Sequence, residues 1–125
     1  MAVMILRREQ IEQLQLAIDT RQVEEFSRQL RTLHPQQTEE LSDEALREQV
    51  RSDIRTAVGL DINENHHQWR FVLLRYLPEE VLRSEYLRSV IFLIVSRVEW
   101  DAGKRLDFLE RHVFSRSKLA RGSSQ

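Results

Sequence analysis

The sequence contains no cysteine, which removes disulfides, thiolate metal sites and cysteine nucleophiles together. Glycine and proline are scarce, three and two respectively in 125 residues, too few for the turns an all-β fold requires. Neither sign of charge prevails. Lys plus Arg number 19 against 20 for Asp plus Glu, a formal net charge of -1, so no global field draws the chain to nucleic acid or to an anionic membrane. Long apolar runs are missing too: Arg88 and Arg97 bracket only eight uncharged residues, against the ~20 that cross a bilayer. Residues 1–8 place their apolar side chains before their positive charges, the reverse of a secretory signal, so a cytoplasmic location is expected.

What is present suits one soluble domain. Hydrophobic residues make up 41% and charged residues 31%, and at this length roughly two thirds of the unfolded surface can be buried. Arg far outnumbers Lys, which favours forked pairing with carboxylates and contact surfaces. The densest apolar stretch is residues 87–98, where Leu87, Val90, Ile91, Ile94, Val95 and Val98 follow helical spacing. Phe92 and Leu93 fall off that stripe, so the spacing predicts a helix greasy over most of its circumference, lying between other helices. A buried strand is the rival, but the pattern from Glu85 to Val98 exceeds strand length and holds no Gly or Pro.

Amphipathic segments flank it. Ile11, Leu14 and Ile18 form one stripe and Val23, Phe26, Leu30 and Leu33 another, with a break at Asp19 and Thr20 that predicts one kinked helix or two abutting ones. Pro35 closes that element. The polar run to Leu41 is a connection with room for a turn of helix. Ser42 caps a helix carrying Leu46, Val50, Ile54 and Ala57, and Gly59 supplies the left-handed residue that ends it, with Leu60 folding back. Asn63 caps a fourth helix burying Trp69, Val72, Leu73 and Tyr76. Pro78 opens a short one, Ser84 caps the central helix, and Asp101 caps a last helix with Leu106, Leu109 and Val113. The fold class is therefore all-α, a single-domain bundle of about five to six helices around a central apolar helix at residues 85–98. Residues 1–114 form the domain and 115–125 a mobile polar and basic tail.

Candidate chemistry is sparse. His66 and His67 are adjacent, so their Cβ directions on a helix differ by about 100°, and no metal site is expected of them or of His34 and His112. Asp61, Asn63 and Asn65 imitate the start of a calcium loop, but the required Gly falls on His66 and the bidentate Glu on Val72. Contiguous pairs such as Glu24 and Glu25 face water and do not flank a cleft. Serine elbows and phosphate-binding glycine loops are absent, so neither catalysis nor a cofactor is expected. A basic group, Arg111, Arg116, Lys118 and Arg121, marks the C-terminal end. Phe71, Tyr86 and Phe108 lie off the principal stripes and either cover a thick core or form an exposed binding patch; for the second case they are, with Arg75 and Arg111, the candidate partner-binding residues, since aromatics and Arg anchor interfaces.

The order of these landmarks resembles a family of small helical proteins encoded in bacterial type VI secretion effector clusters, beside spike-tip proteins, effector chaperones and toxins. The likeness spans most of the chain. It comprises a Gln-containing first helix, Phe26 and Leu30 before a helix ended at Pro35, Leu46 to Ala57 followed by Gly59, Trp69 to Leu77, and a tail helix with Arg105, Leu106 and Leu109. One departure is that the family carries more Gly and Asp around the fourth helix, where this chain has Arg75-Tyr76-Leu77-Pro78. The resemblance implies an adaptor or co-chaperone assisting a secreted toxin or its chaperone, with a protein partner and no nucleic acid. The alternatives are a helical nucleic-acid-binding regulator acting through the basic C-terminal segment, or an immunity protein that blocks a toxin.

Overall fold

The computed structural model describes residues 20–114. The stripe of Ile11, Leu14 and Ile18, the break at Asp19 and the tail 115–125 lie outside the described residues. Seven α-helices and no strands occur among those described, an all-α fold as expected. They are α1 at 20–33, α2 (Pro35–Thr38), α3 (Asp43–Gly59), α4 (Asn65–Leu73), α5 (Glu79–Arg83), α6 (Glu85–Val95) and α7 (Ala102–Leu109). A 3-10 turn, Leu74–Tyr76, follows α4, and five residues of π-helix, Glu110–Phe114, follow α7. The count exceeds the five to six read from periodicity because α2, expected as a connection with room for a turn, stands as a separate helix.

Contacts divide the chain into two compact units, with the boundary between Ser52 and Asp53. In the first, α1 buries Val23, Phe26 and Leu30, and the early turns of α3 bury Leu46 and Val50. Leu33, grouped with that stripe by spacing, is instead exposed at the end of α1. Pro35 does not simply close α1. His34 leaves helical geometry and Pro35 then starts α2, a first-turn place where its missing N–H is no loss. The connection is held from within by Arg31, whose guanidinium donates to the Thr38 carbonyl, to the Leu41 carbonyl at 2.7 Å and to Asp43 Oδ1 at 2.9 Å. Ser42 caps α3 by accepting from the Ala45 N–H at 3.1 Å.

The second unit is organised by a cluster of Ala57, Ile62, Val95, Ala102, Leu109 and Val113, with Leu60, Phe71, Leu74, Leu87, Val90, Ile91, Ile94 and Phe114 packed against it. The end of α3 differs from expectation. Gly59 keeps a negative φ, and the left-handed residue is Asp61, φ 66°. The Ile62 N–H reaches back to the Ala57 carbonyl at 2.8 Å and the Asp61 N–H to the Val58 carbonyl at 3.0 Å, the paired bonds of a Schellman cap. Ala57 and Ile62 both belong to the cluster, so the cap is placed by burial, and Asp61 tolerates the conformation because its side chain is short and polar. Asn63, the expected cap of α4, instead donates to Asp61 Oδ1 at 3.2 Å, while Glu64 occupies the cap position without a side-chain bond to the helix. Ser84 and Asp101 cap α6 and α7 as expected, accepting from Leu87 N–H at 3.1 Å and Lys104 N–H at 2.8 Å.

The stripe expected of residues 85–98 is realised on α6, where Leu87, Val90, Ile91, Ile94 and Val95 face the cluster. Phe92 and Leu93 do not lie between helices. They are 66% and 67% exposed, and Val98, beyond the end of α6, is 54% exposed.

Candidate functional site

At 100° per residue, Glu85, Tyr86, Ser89, Phe92 and Leu93 fall on the side of α6 opposite its buried stripe. Tyr86 is 75% exposed, so this side carries two aromatic rings and a leucine in water. Glu85, Arg88, Ser89, Phe92 and Leu93 line a shallow hollow of about 570 Å³. Scattered single apolar residues on a surface are ordinary, whereas a contiguous patch marks a contact site. Neither Glu85 nor Arg88 has an ion-pair partner among the described residues, although they are three residues apart on one helix.

A second feature lies around α7 and its flanking residues. Trp100 carries Arg97 over its ring at 4.9 Å and Lys104 at 4.5 Å. Its ring centroid stands 5.5 Å from that of Phe108, which in turn lies 4.4 Å from that of His112. Lys104, Asp107, Phe108, Arg111 and His112 line a hollow of about 430 Å³. Its Asp107 is already engaged, since Arg70 bridges Asp107 and Glu110 at 2.9 and 3.1 Å.

The five residues expected to bind a partner are thus distributed. Phe108 and Arg111 share the α7 hollow, and Tyr86 stands on the exposed side of α6. Phe71 is half-buried against the core cluster, the core-covering alternative that its off-stripe position left open. Arg75 is gripped by Asp53, Nε to Oδ2 at 2.9 Å and a terminal nitrogen to Oδ1 at 2.7 Å. Those bonds, with the charge of Asp53, outweigh the cost of partial burial and raise the Arg75 pKa, so its fork is occupied within its own unit.

Sequence reasoning missed three things. Phe92 and Leu93 were visible as off-stripe residues, but spacing does not reveal whether a neighbouring helix covers them. Arg105 is 1% exposed; one of its terminal nitrogens donates to the Leu60 carbonyl at 2.7 Å and the Val95 carbonyl at 2.6 Å, so it ties together the C-terminal ends of α3 and α6. The two histidines were separated on Cβ direction alone. In the structure the ring centroids of His66 and His67 are 4.0 Å apart and both rings approach the Glu64 carboxylate.

No protein-family model, no curated protein and no solved structure matches this chain. Among the described residues no helix is long and apolar enough to cross a membrane.

Proposed function

We propose that this chain is a non-catalytic protein-binding module that receives one amphipathic helix of another protein on the exposed side of α6. The observation that carries the reading is the exposure of Tyr86, Phe92 and Leu93 together on one helical face. Taking about 150–250 Å² for an aromatic side chain, the three present on the order of 400 Å² of largely apolar surface. A standard stable interface takes about 800 Å² from each partner. The patch alone supplies about half of that, so the partner helix also covers the flanking Glu85, Arg88 and Ser89 along α6. Glu85 and Arg88 add charge selectivity, favouring a partner helix with a base opposite the first and an acid opposite the second.

The partner class, a secreted effector or its chaperone from a type VI cluster, is supported by the resemblance in helix order, and the role is that of an adaptor or co-chaperone. The test is co-expression with the products of the neighbouring genes, followed by co-purification and light scattering to fix stoichiometry. A 1:1 complex is expected, lost in Phe92→Glu/Leu93→Glu while the circular dichroism of the free chain is unchanged. Co-purification that survives the double substitution, failure of every neighbouring product to bind, or a stable homodimer through α6 each overturns the proposal.

A further inference from the structure

A second site lies away from the α6 face, at the start of α4. Glu64 stands just outside the helix with extended backbone, φ -83° and ψ 140°, and its carboxylate makes no capping bond to the helix. It turns instead toward the two histidines that follow. Its Oε2 lies 3.4 Å from His66 Nε2 and 3.8 Å from His67 Nδ1, and one ligand atom from each of the three residues falls within 4.8 Å of the others. Around a cation bound at the usual 2.0–2.1 Å, the edges of a tetrahedral ligand set are about 3.3–3.4 Å long. The separations of 3.4 and 3.8 Å from Glu64 Oε2 therefore lie at that edge length and a few tenths of an ångström beyond it.

We propose that Glu64, His66 and His67 form a binding site for a divalent transition cation of the zinc class. One carboxylate oxygen and two imidazole nitrogens suit Zn²⁺, Ni²⁺ or Cu²⁺, whereas Mg²⁺ and Ca²⁺ demand a shell of oxygens. The His67 ring is preset. Its side chain is 17% exposed, and its Nε2 lies against Gly103, where an added Cβ would stand only 3.2 Å away. That packing leaves Nδ1 as the nitrogen turned toward Glu64. His66 and Glu64 are 69% and 68% exposed, so the cation reaches the site freely and keeps coordination positions open to water. The first-turn N–H groups of α4 oppose a cation there, and the carboxylate at the cap position offsets them.

The experiment is calorimetric titration of the untagged full chain with Zn²⁺ and, separately, Ni²⁺, in metal-free buffer. One saturable equivalent is expected, and it persists in His34→Ala/His112→Ala. Loss of an outer-shell partner alone weakens a metal site about 10- to 100-fold, so Glu64→Gln, His66→Ala and His67→Ala should each lower affinity by at least about tenfold. Nitrogen-15 spectra of the imidazoles should place the cation on Nδ1 of His67 and Nε2 of His66. These side chains are largely at the surface, and unchanged melting temperatures of the three variants without metal would show that they fold. Absence of a saturable equivalent, or binding undiminished in His66→Ala and His67→Ala, overturns the proposal.

Discussion

Asp61 holds the left-handed backbone that ends α3, and Gly59, two residues earlier, does not. Two substitutions separate these roles. Gly59→Ala places a methyl where nothing lies within 4 Å on helical backbone, and should stabilise by about 0.5–1 kcal/mol through the entropy of the unfolded chain. Asp61→Gly relieves the left-handed cost of a residue with a Cβ and should stabilise by up to about 1 kcal/mol. Urea unfolding of both measures this, and a loss of stability in Gly59→Ala would place the cap at residue 59. Arg105 acts in the opposite direction. Its guanidinium is buried without a carboxylate and is held by helix-end carbonyls, where the dipoles of α3 and α6 favour positive charge. Arg105→Met orphans the Leu60 and Val95 carbonyls, and each unsatisfied buried acceptor costs about 1–3 kcal/mol, so a total near 3 kcal/mol is expected from denaturant titration. Arg105→Lys keeps the charge but loses the planar fork that bonds several carbonyls at once, and should recover only part of that.

At the scale of the element, the caps were the most legible feature of the sequence. Ser42, Ser84 and Asp101 each accept a bond from the N–H three residues on, because an N-cap is satisfied by the backbone immediately following it and needs no tertiary partner. Ser84→Ala should therefore destabilise by about 1 kcal/mol in thermal unfolding, with the effect concentrated in hydrogen exchange along α6. Asn63 departs from its expected capping role for a related reason. Both Asn63 and Glu64 precede the helical run, and the Schellman turn at Asp61 draws the Asn63 amide to the Asp61 carboxylate, so a tertiary event at the end of α3 decided the start of α4. Helix α6 shows the same limit on a larger scale: its buried stripe followed from spacing, while the exposure of its other side depends on which helices exist to cover it.

At the scale of the molecule, the exposed side of α6 is an apolar surface that folding of the described residues does not require. Phe92→Glu/Leu93→Glu should leave stability within about 0.5 kcal/mol of the parent and raise solubility, measured by denaturation and by precipitation with ammonium sulfate. A large loss of stability would show that these residues are covered in solution. The second unit is knitted by bonds between residues distant in sequence, among them Arg70 to Asp107 and Glu110, Arg75 to Asp53, and Arg105 to Leu60. None of these was visible beforehand, because a charged residue on an amphipathic helix has many possible partners and sequence spacing selects only those one turn away.

By itself the sequence determined that the described residues are helical, where most of their helices begin, and most of the residues each helix buries, because capping and amphipathic period are written in neighbouring residues. Only the tertiary structure decided that the backbone turns left-handed at Asp61, that Arg105 joins two helix ends, that Phe92 and Leu93 meet water, and that Glu64 gathers His66 and His67. Each of these depends on which surfaces other elements cover, a quantity that no local pattern of residues contains.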